Sequence, residues 1–205
     1  MFPALESVAA GEGAALTSTN EVANVDDRLN RIRMLAMDVD GVLTIGEIIV
    51  SDNDDELRAF NAQDGLAIRL CELAGIKTAF ISGRHAACVE KRAKDLHVAH
   101  FVLGTFNKVP PLKDIAEKEG LDLEEIAFVG DDVSDIPPMK CCGIAAAVAN
   151  AVEEVKKHAN YVTERQGGRG AVREVIELIL KAQGKWTRAV AMLVGDESWD
   201  EIDED

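Results

Sequence analysis

Asp38-Val39-Asp40-Gly41-Val42-Leu43-Thr44 is the stretch whose residue types and spacing point most directly to chemistry. Two carboxylates stand at i and i+2, and the glycine after them can supply a turn. The preceding Arg33-Met34-Leu35-Ala36-Met37 has the length and apolar character of a buried strand. Side chains two apart share a face of a strand, and where the backbone turns at a strand end both can converge on one small volume. Two anions held that close repel unless a cation lies between them. The pair therefore asks for a metal ion. A solvated Asp-rich turn is the plainer alternative, and these seven residues alone leave it open.

Other polar groups follow apolar runs in the same way. Ser82-Gly83-Arg84 follows the run 76–81, and Gly130-Asp131-Asp132, with Asp135 close behind, follows 126–129. Lys108 stands just before a segment that opens with Pro110 and Pro111. Each has a bland reading: Ser82 as a helix cap, Lys108 as a surface lysine, Asp131 and Asp132 as a turn and an N-cap. Their joint occurrence at successive strand ends is harder to dismiss.

The elements that must position these groups alternate. The patterns predict strands over 33–39, 76–81, 100–103, 126–129, 144–148 and 161–163. Helices are predicted over 63–74, 85–96, 110–119, 134–141, 151–158 and 171–183. Residues 44–50 and 56–60 flank the turn-rich Ser51-Asp52-Asn53-Asp54-Asp55, so a β-hairpin is expected directly after the carboxylate pair. Alternation of this kind implies a Rossmann-like α/β fold, a mainly parallel sheet with helices on both faces. Ligands then bind beyond the carboxyl ends of the strands.

The chain has 205 residues, enough for one domain with a sizeable core, and a formal charge of −15. Twelve acids and no Lys or Arg lie in residues 1–27 and 195–205, so the body is nearly neutral and compatible with an anionic substrate. No basic stripe suggests nucleic acid. The organisation expected is a poorly ordered arm over 1–29, a domain over 30–185 and a tail over 186–205 with a short helix near 185–194. Cys71, Cys88, Cys141 and Cys142 have no ligand spacing and suit a reducing cytoplasm. The first twenty residues lack the pattern of a signal peptide, and no stretch has the length of a membrane span.

The ordered set Asp38-x-Asp40-Gly41, Ser82, Lys108 and Gly130-Asp131-Asp132-x-x-Asp135 resembles the haloacid dehalogenase superfamily of phosphohydrolases. Within it, 60–69 (Phe-Asn-Ala-Gln-Asp-Gly-Leu-Ala-Ile-Arg), Ile81-Ser82-Gly83-Arg84 and 167–174 (Gly-Gly-Arg-Gly-Ala-Val-Arg-Glu) are similar to the 3-deoxy-D-manno-octulosonate 8-phosphate phosphatases. The resemblance covers residues 30–185. It implies a capless, Mg²⁺-dependent phosphatase that releases a free sugar acid in lipopolysaccharide precursor synthesis. A nine-carbon, sialic-acid-type 9-phosphate is an alternative substrate, and a non-catalytic oligomerisation module of the same fold is an alternative role. A signalling receiver also uses an acidic metal site, but its phospho-accepting Asp belongs on a later strand.

The resemblance also implies roles. Unaided monoester hydrolysis is so slow that the site must supply up to about 10²¹-fold. Asp38 is expected to attack phosphorus, and Asp40 to protonate the leaving oxygen and then deprotonate water. Mg²⁺ would sit on Asp38, the Asp40 carbonyl and Asp131, with Asp132 or Asp135 orienting neighbours. Ser82 and Lys108 would hold phosphoryl oxygens. Substrate contacts are expected from Asp40, Asn61, Ala62, Gln63, Asp64, Gly65, Arg69, Arg84, Arg92 and Lys108, the arginines suiting a sugar carboxylate. With only a hairpin where a cap would stand, relatives form a homotetramer in which hairpins meet at the centre and a neighbour's carboxyl-terminal segment closes the site.

Overall fold

The computed structural model describes residues 19–50, 52 and 56–195, with side chains from residue 25 onward. Helix α1 (Thr19–Arg31) leads into strand β1 (Met34–Met37), then the hairpin β2 (Ile49–Val50) and β3 (Glu56–Leu57). Helix α2 (Ala62–Leu73), β4 (Lys77–Ser82), α3 (Ala87–Asp95), β5 (His100–Leu103) and α4 (Val109–Glu119) follow. The second half runs β6 (Ile126–Gly130), α5 (Ile136–Cys141), β7 (Ile144–Ala147), α6 (Glu153–Lys156), β8 (Tyr161–Val162), α7 (Ala171–Ala182) and α8 (Trp186–Val194).

The main sheet is parallel with order β5-β4-β1-β6-β7-β8. β1 is central: Met34 pairs with Lys77 on one side and Ile126 on the other. All four of its residues are fully buried, which is why its sequence is a continuous apolar run and not an alternating one. The strand order reverses between β1 and β6. Right-handed crossovers therefore put α2 and α3 on one face and α4 and α5 on the other, and open a crevice at the β1 and β6 carboxyl ends. α7 returns to the first face, where it packs on α1, α2 and α8.

This is the α/β fold expected, with local differences. α1 occupies the end of what reads as an arm, and the boundary expected at residue 29 falls inside it. Its sequence is polar on average, but Leu29 and the following Ile32 are fully buried, and Gln183 Nε2 donates to both of their carbonyls at 2.8 Å. Residues 1–18 and 196–205 lie outside the described residues, as do 51 and 53–55 of the expected turn. The hairpin forms where expected, but only two residues pair on each side, Ile49 with Leu57 and Val50 with Glu56. Ile49, Val50 and Leu57 are each more than half exposed. No described helix is long and apolar enough to cross a membrane.

Candidate active site

β1 delivers the carboxylate pair through an amide anchor: Asp38 N donates to the Val129 carbonyl across to β6 at 3.0 Å. The chain then coils around one acceptor, because Val42, Leu43 and Thr44 all donate to the Val39 carbonyl. Thr44 Oγ1 accepts from the amides of Gly41 and Gly46. Gly41 stands at φ +99° with the Asp131 carboxylate against it; a Cβ there would lie 2.0 Å from Asp131 Oδ2. Only glycine meets both demands. The same turn is covered from the far end of the chain. Gly168 N donates to the Val42 carbonyl at 2.8 Å, and a Cβ on Gly167 would lie 1.7 Å from the Gly41 carbonyl oxygen.

Lys108 is not a surface lysine. It is 1% exposed and its ammonium donates to Asp38 Oδ1 and Asp135 Oδ1, each at 2.6 Å. Burial alone would lower its pKa, but the two carboxylates outweigh that and raise it. Asp135, fully buried, turns its other oxygen to the amides of Asp131 and Asp132 at 3.0 and 3.3 Å. Asp132 is exposed and caps Val133. Of the two acids left undecided by sequence, Asp135 is the one built into the cluster.

Oxygens of Asp38, Asp131 and Asp135 lie within 4.8 Å of one another. Asp131 Oδ1 is buried with no hydrogen-bond partner. Burial and then the neighbouring Asp135 lift Asp38 to about 6, against the pull of Lys108. Burial, Asp38 and Asp135 lift Asp131 to about 8. An orphaned buried oxygen among mutually repelling carboxylates fits a hard divalent cation.

Ser82 is buried at the end of β4, its Oγ accepting from Arg84 N at 3.2 Å. The hairpin adds two residues that the sequence reading did not single out. Arg58 grips Asp40 through Nε at 2.7 Å and Nη2 at 3.4 Å. Glu56 accepts from Arg58 and from Arg84, both at 2.7 Å. The alternation Glu56-Leu57-Arg58, two opposite charges on one strand face with an apolar residue on the other, was the available signal.

The proposed substrate contacts separate. Arg84 is 45% exposed and bonded to Glu56; Asn61, Ala62 and Gln63 open α2. Asn61 caps that helix, accepting from Gln63 N and Asp64 N. Asp64 is committed elsewhere: both its oxygens accept from the first turn of α7, at Gly170 N and Arg173 N. Gly65 makes room for Arg92, whose guanidinium lies 5.7 Å from the Phe60 ring and whose Nε is buried without a partner. Arg69 lies about 10 Å along α2 from its start and donates to the Leu96 carbonyl. Asp64, Gly65 and Arg69 thus hold helices together, a role their sequence positions did not reveal.

A Rossmann-like sheet whose first strand ends in an Asp pair, with a buried lysine and a second acidic loop at the neighbouring strand, defines a phosphatase of the haloacid dehalogenase class. Residues 98–176 match the family of haloacid dehalogenase-like hydrolases. The 3-deoxy-D-manno-octulosonate 8-phosphate phosphatase of Escherichia coli K12 is 44% identical over 82% of this chain and 89% of its own. That of Haemophilus influenzae is 37% identical over 78% and 89%. A solved structure of this phosphatase from Moraxella catarrhalis, with magnesium, phosphate and KDO, superposes with a TM-score of 0.80 at 38% identity over 86% of this chain and 99% of that one. The chain belongs to the 3-deoxy-D-manno-octulosonate 8-phosphate phosphatase family, and is a phosphoric monoester hydrolase.

Proposed function

We propose that this chain hydrolyses 3-deoxy-D-manno-octulosonate 8-phosphate to the sugar acid and phosphate, in the cytoplasm, on the route to lipopolysaccharide. The observation that carries the reading is the buried Lys108 bridging Asp38 and Asp135 beside the orphaned oxygen of Asp131. Asp38 attacks phosphorus and forms an aspartyl phosphate. Asp40 protonates the departing sugar oxygen, then takes a proton from the water that cleaves the acyl phosphate. Ser82 and Lys108 hold non-bridging oxygens. Asp38, Asp131 and the Asp40 carbonyl would hold Mg²⁺, and Asp135 keeps Asp131 and Lys108 in register. The ion supplies positive charge where two anions must meet. Intact catalytic positions argue against a non-catalytic module. Turnover of a panel of eight- and nine-carbon sugar-acid phosphates tests the substrate: preference for a nine-carbon 9-phosphate would overturn it.

Arg84 is assigned to the sugar carboxylate. Its planar fork can make two charge-assisted hydrogen bonds, each worth about 1.5–3 kcal/mol. Glu56 holds it meanwhile, and Arg58 and then Arg84 hold the Glu56 carboxyl below its usual pKa. Arg84→Ala should lower kcat/KM for the sugar-acid phosphate roughly ten- to a hundred-fold or more, the lower end being the loss of one such bond. p-Nitrophenyl phosphate, which has no carboxylate, should lose much less. Equal losses would move Arg84 to the phosphoryl group or to the fold.

The assembly is proposed to be a homotetramer. An isolated two-residue hairpin is marginal in water, and this one exposes Ile49, Val50 and Leu57. Sedimentation should give about four times the chain mass of 22.1 kDa. A fully active monomer would exclude a partner-built site.

A further inference from the structure

Arg58 has a chemical role that the hairpin's exposed face does not suggest. Its side chain has no exposed surface, although it directly follows a two-stranded ribbon whose Ile49, Val50 and Leu57 are exposed. Three of its hydrogen bonds go to carboxylates: two to Asp40 and one to Glu56. Its remaining nitrogen, Nη1, is buried without a partner. An arginine that merely tied the hairpin down could satisfy that donor by turning toward water. This guanidinium leaves it unpaired and faces Asp40.

The Asp40 side chain is itself 17% exposed and has no other hydrogen-bond partner among the described residues. Without the clamp, its two rotatable bonds would leave the carboxylate free to turn into solvent or toward Asp38. A proton donor must sit within hydrogen-bond reach of the leaving oxygen, so its rotamer decides whether it acts.

We infer that Arg58 is the positioning residue of Asp40: the hairpin carries it over the strand end, where its fork fixes the acid–base carboxylate while Glu56 braces it from behind. This rests on the reading of Asp40 as the general acid and base. It gives the hairpin a second purpose besides assembly. It also ties Asp40 to Arg84, since Glu56 accepts from both arginines.

The test is a double-mutant cycle on the full, Mg²⁺-loaded chain, read as kcat/KM with two esters. One is the sugar-acid phosphate, whose alkoxide leaving group needs a proton. The other is p-nitrophenyl phosphate, whose leaving group does not. Arg58→Met should lower kcat/KM for the sugar-acid phosphate on the order of 30- to 100-fold, a substantial part of what general acid catalysis contributes. For p-nitrophenyl phosphate the loss should stay under about five-fold. Added to Asp40→Asn, Arg58→Met should cost almost nothing more, because a residue acting only through Asp40 has nothing left to position. Arg58→Lys, which keeps the charge without the fork, should recover part of the loss. It also carries the cycle if the Met variant fails to fold by circular dichroism. Losses that multiply with Asp40→Asn, or fall equally on both esters, would overturn the assignment and leave Asp40 its role. If Asp40→Asn itself affects both esters equally, the acid–base reading falls, and the positioning role with it.

Discussion

Asp38→Asn is expected to reduce kcat for the sugar-acid phosphate on the order of 10⁴-fold or more, since the amide cannot form an acyl phosphate and nothing else stands in for the nucleophile. The substitution is nearly isosteric, so loss of structure should not confuse the result. In the metal-free protein the Asp38 carboxylate is a net strain, because burial and Asp135 raise its pKa to about 6 despite Lys108. A neutral amide removes that strain and leaves Lys108 its bond to Asp135. The metal-free variant should therefore melt no lower than the wild type at pH 8. Calorimetry and steady-state kinetics on one preparation check both halves. Turnover near the wild-type rate would remove Asp38 from the nucleophile's place.

The second large effect concerns the metal. EDTA should silence the enzyme, on the order of 10³-fold or more, and Mg²⁺ should restore it. The pH dependence of stability carries a sharper expectation. Asp38 and Asp131 have folded-state values of about 6 and about 8, both above the value of 3.8 that an unperturbed aspartate has. Between those limits the folded protein binds more protons than the unfolded chain, so stability falls as pH rises. The metal-free protein should lose stability progressively from pH 4 through pH 8. Mg²⁺ should raise the melting temperature more at pH 8 than at pH 6, and binding near neutrality should release protons, because ligation needs both carboxylates ionised. A metal-induced shift independent of pH would show that the acidic cluster is not the binding site.

What the sequence made legible follows from how local each signal is. β1 could be read because a strand buried on both faces leaves an uninterrupted apolar run. Asp38, Lys108 and Asp131, which the structure brings together, stood out because strand ends concentrate polar residues after such runs. Arg58 could not, because its meaning depends on a fold-back that sets it against a residue 18 positions earlier. The bonds of Asp64 were hidden for the same reason: it lies in a polar stretch, yet its partners are 106 and 109 residues away. α1 was missed because its sequence is polar on average and follows without a break from an Ala-, Gly- and Glu-containing stretch that reads as an arm.

Gly167 and Gly168 close over the Asp38–Thr44 turn from the other end of the chain. The nucleophile's loop is made early in synthesis, but the residues that clamp it emerge from the ribosome more than a hundred codons later. At about 5–20 residues per second, the growing chain spends roughly 6 to 25 s with its reactive carboxylates present and their support still unmade. Support for the nucleophile's turn is therefore acquired only once residues 167 and 168 have been made. A chain that stalls between β6 and β8 has the nucleophile, the buried lysine and the acidic loop in hand, but not the two glycines that hold the first of these in place.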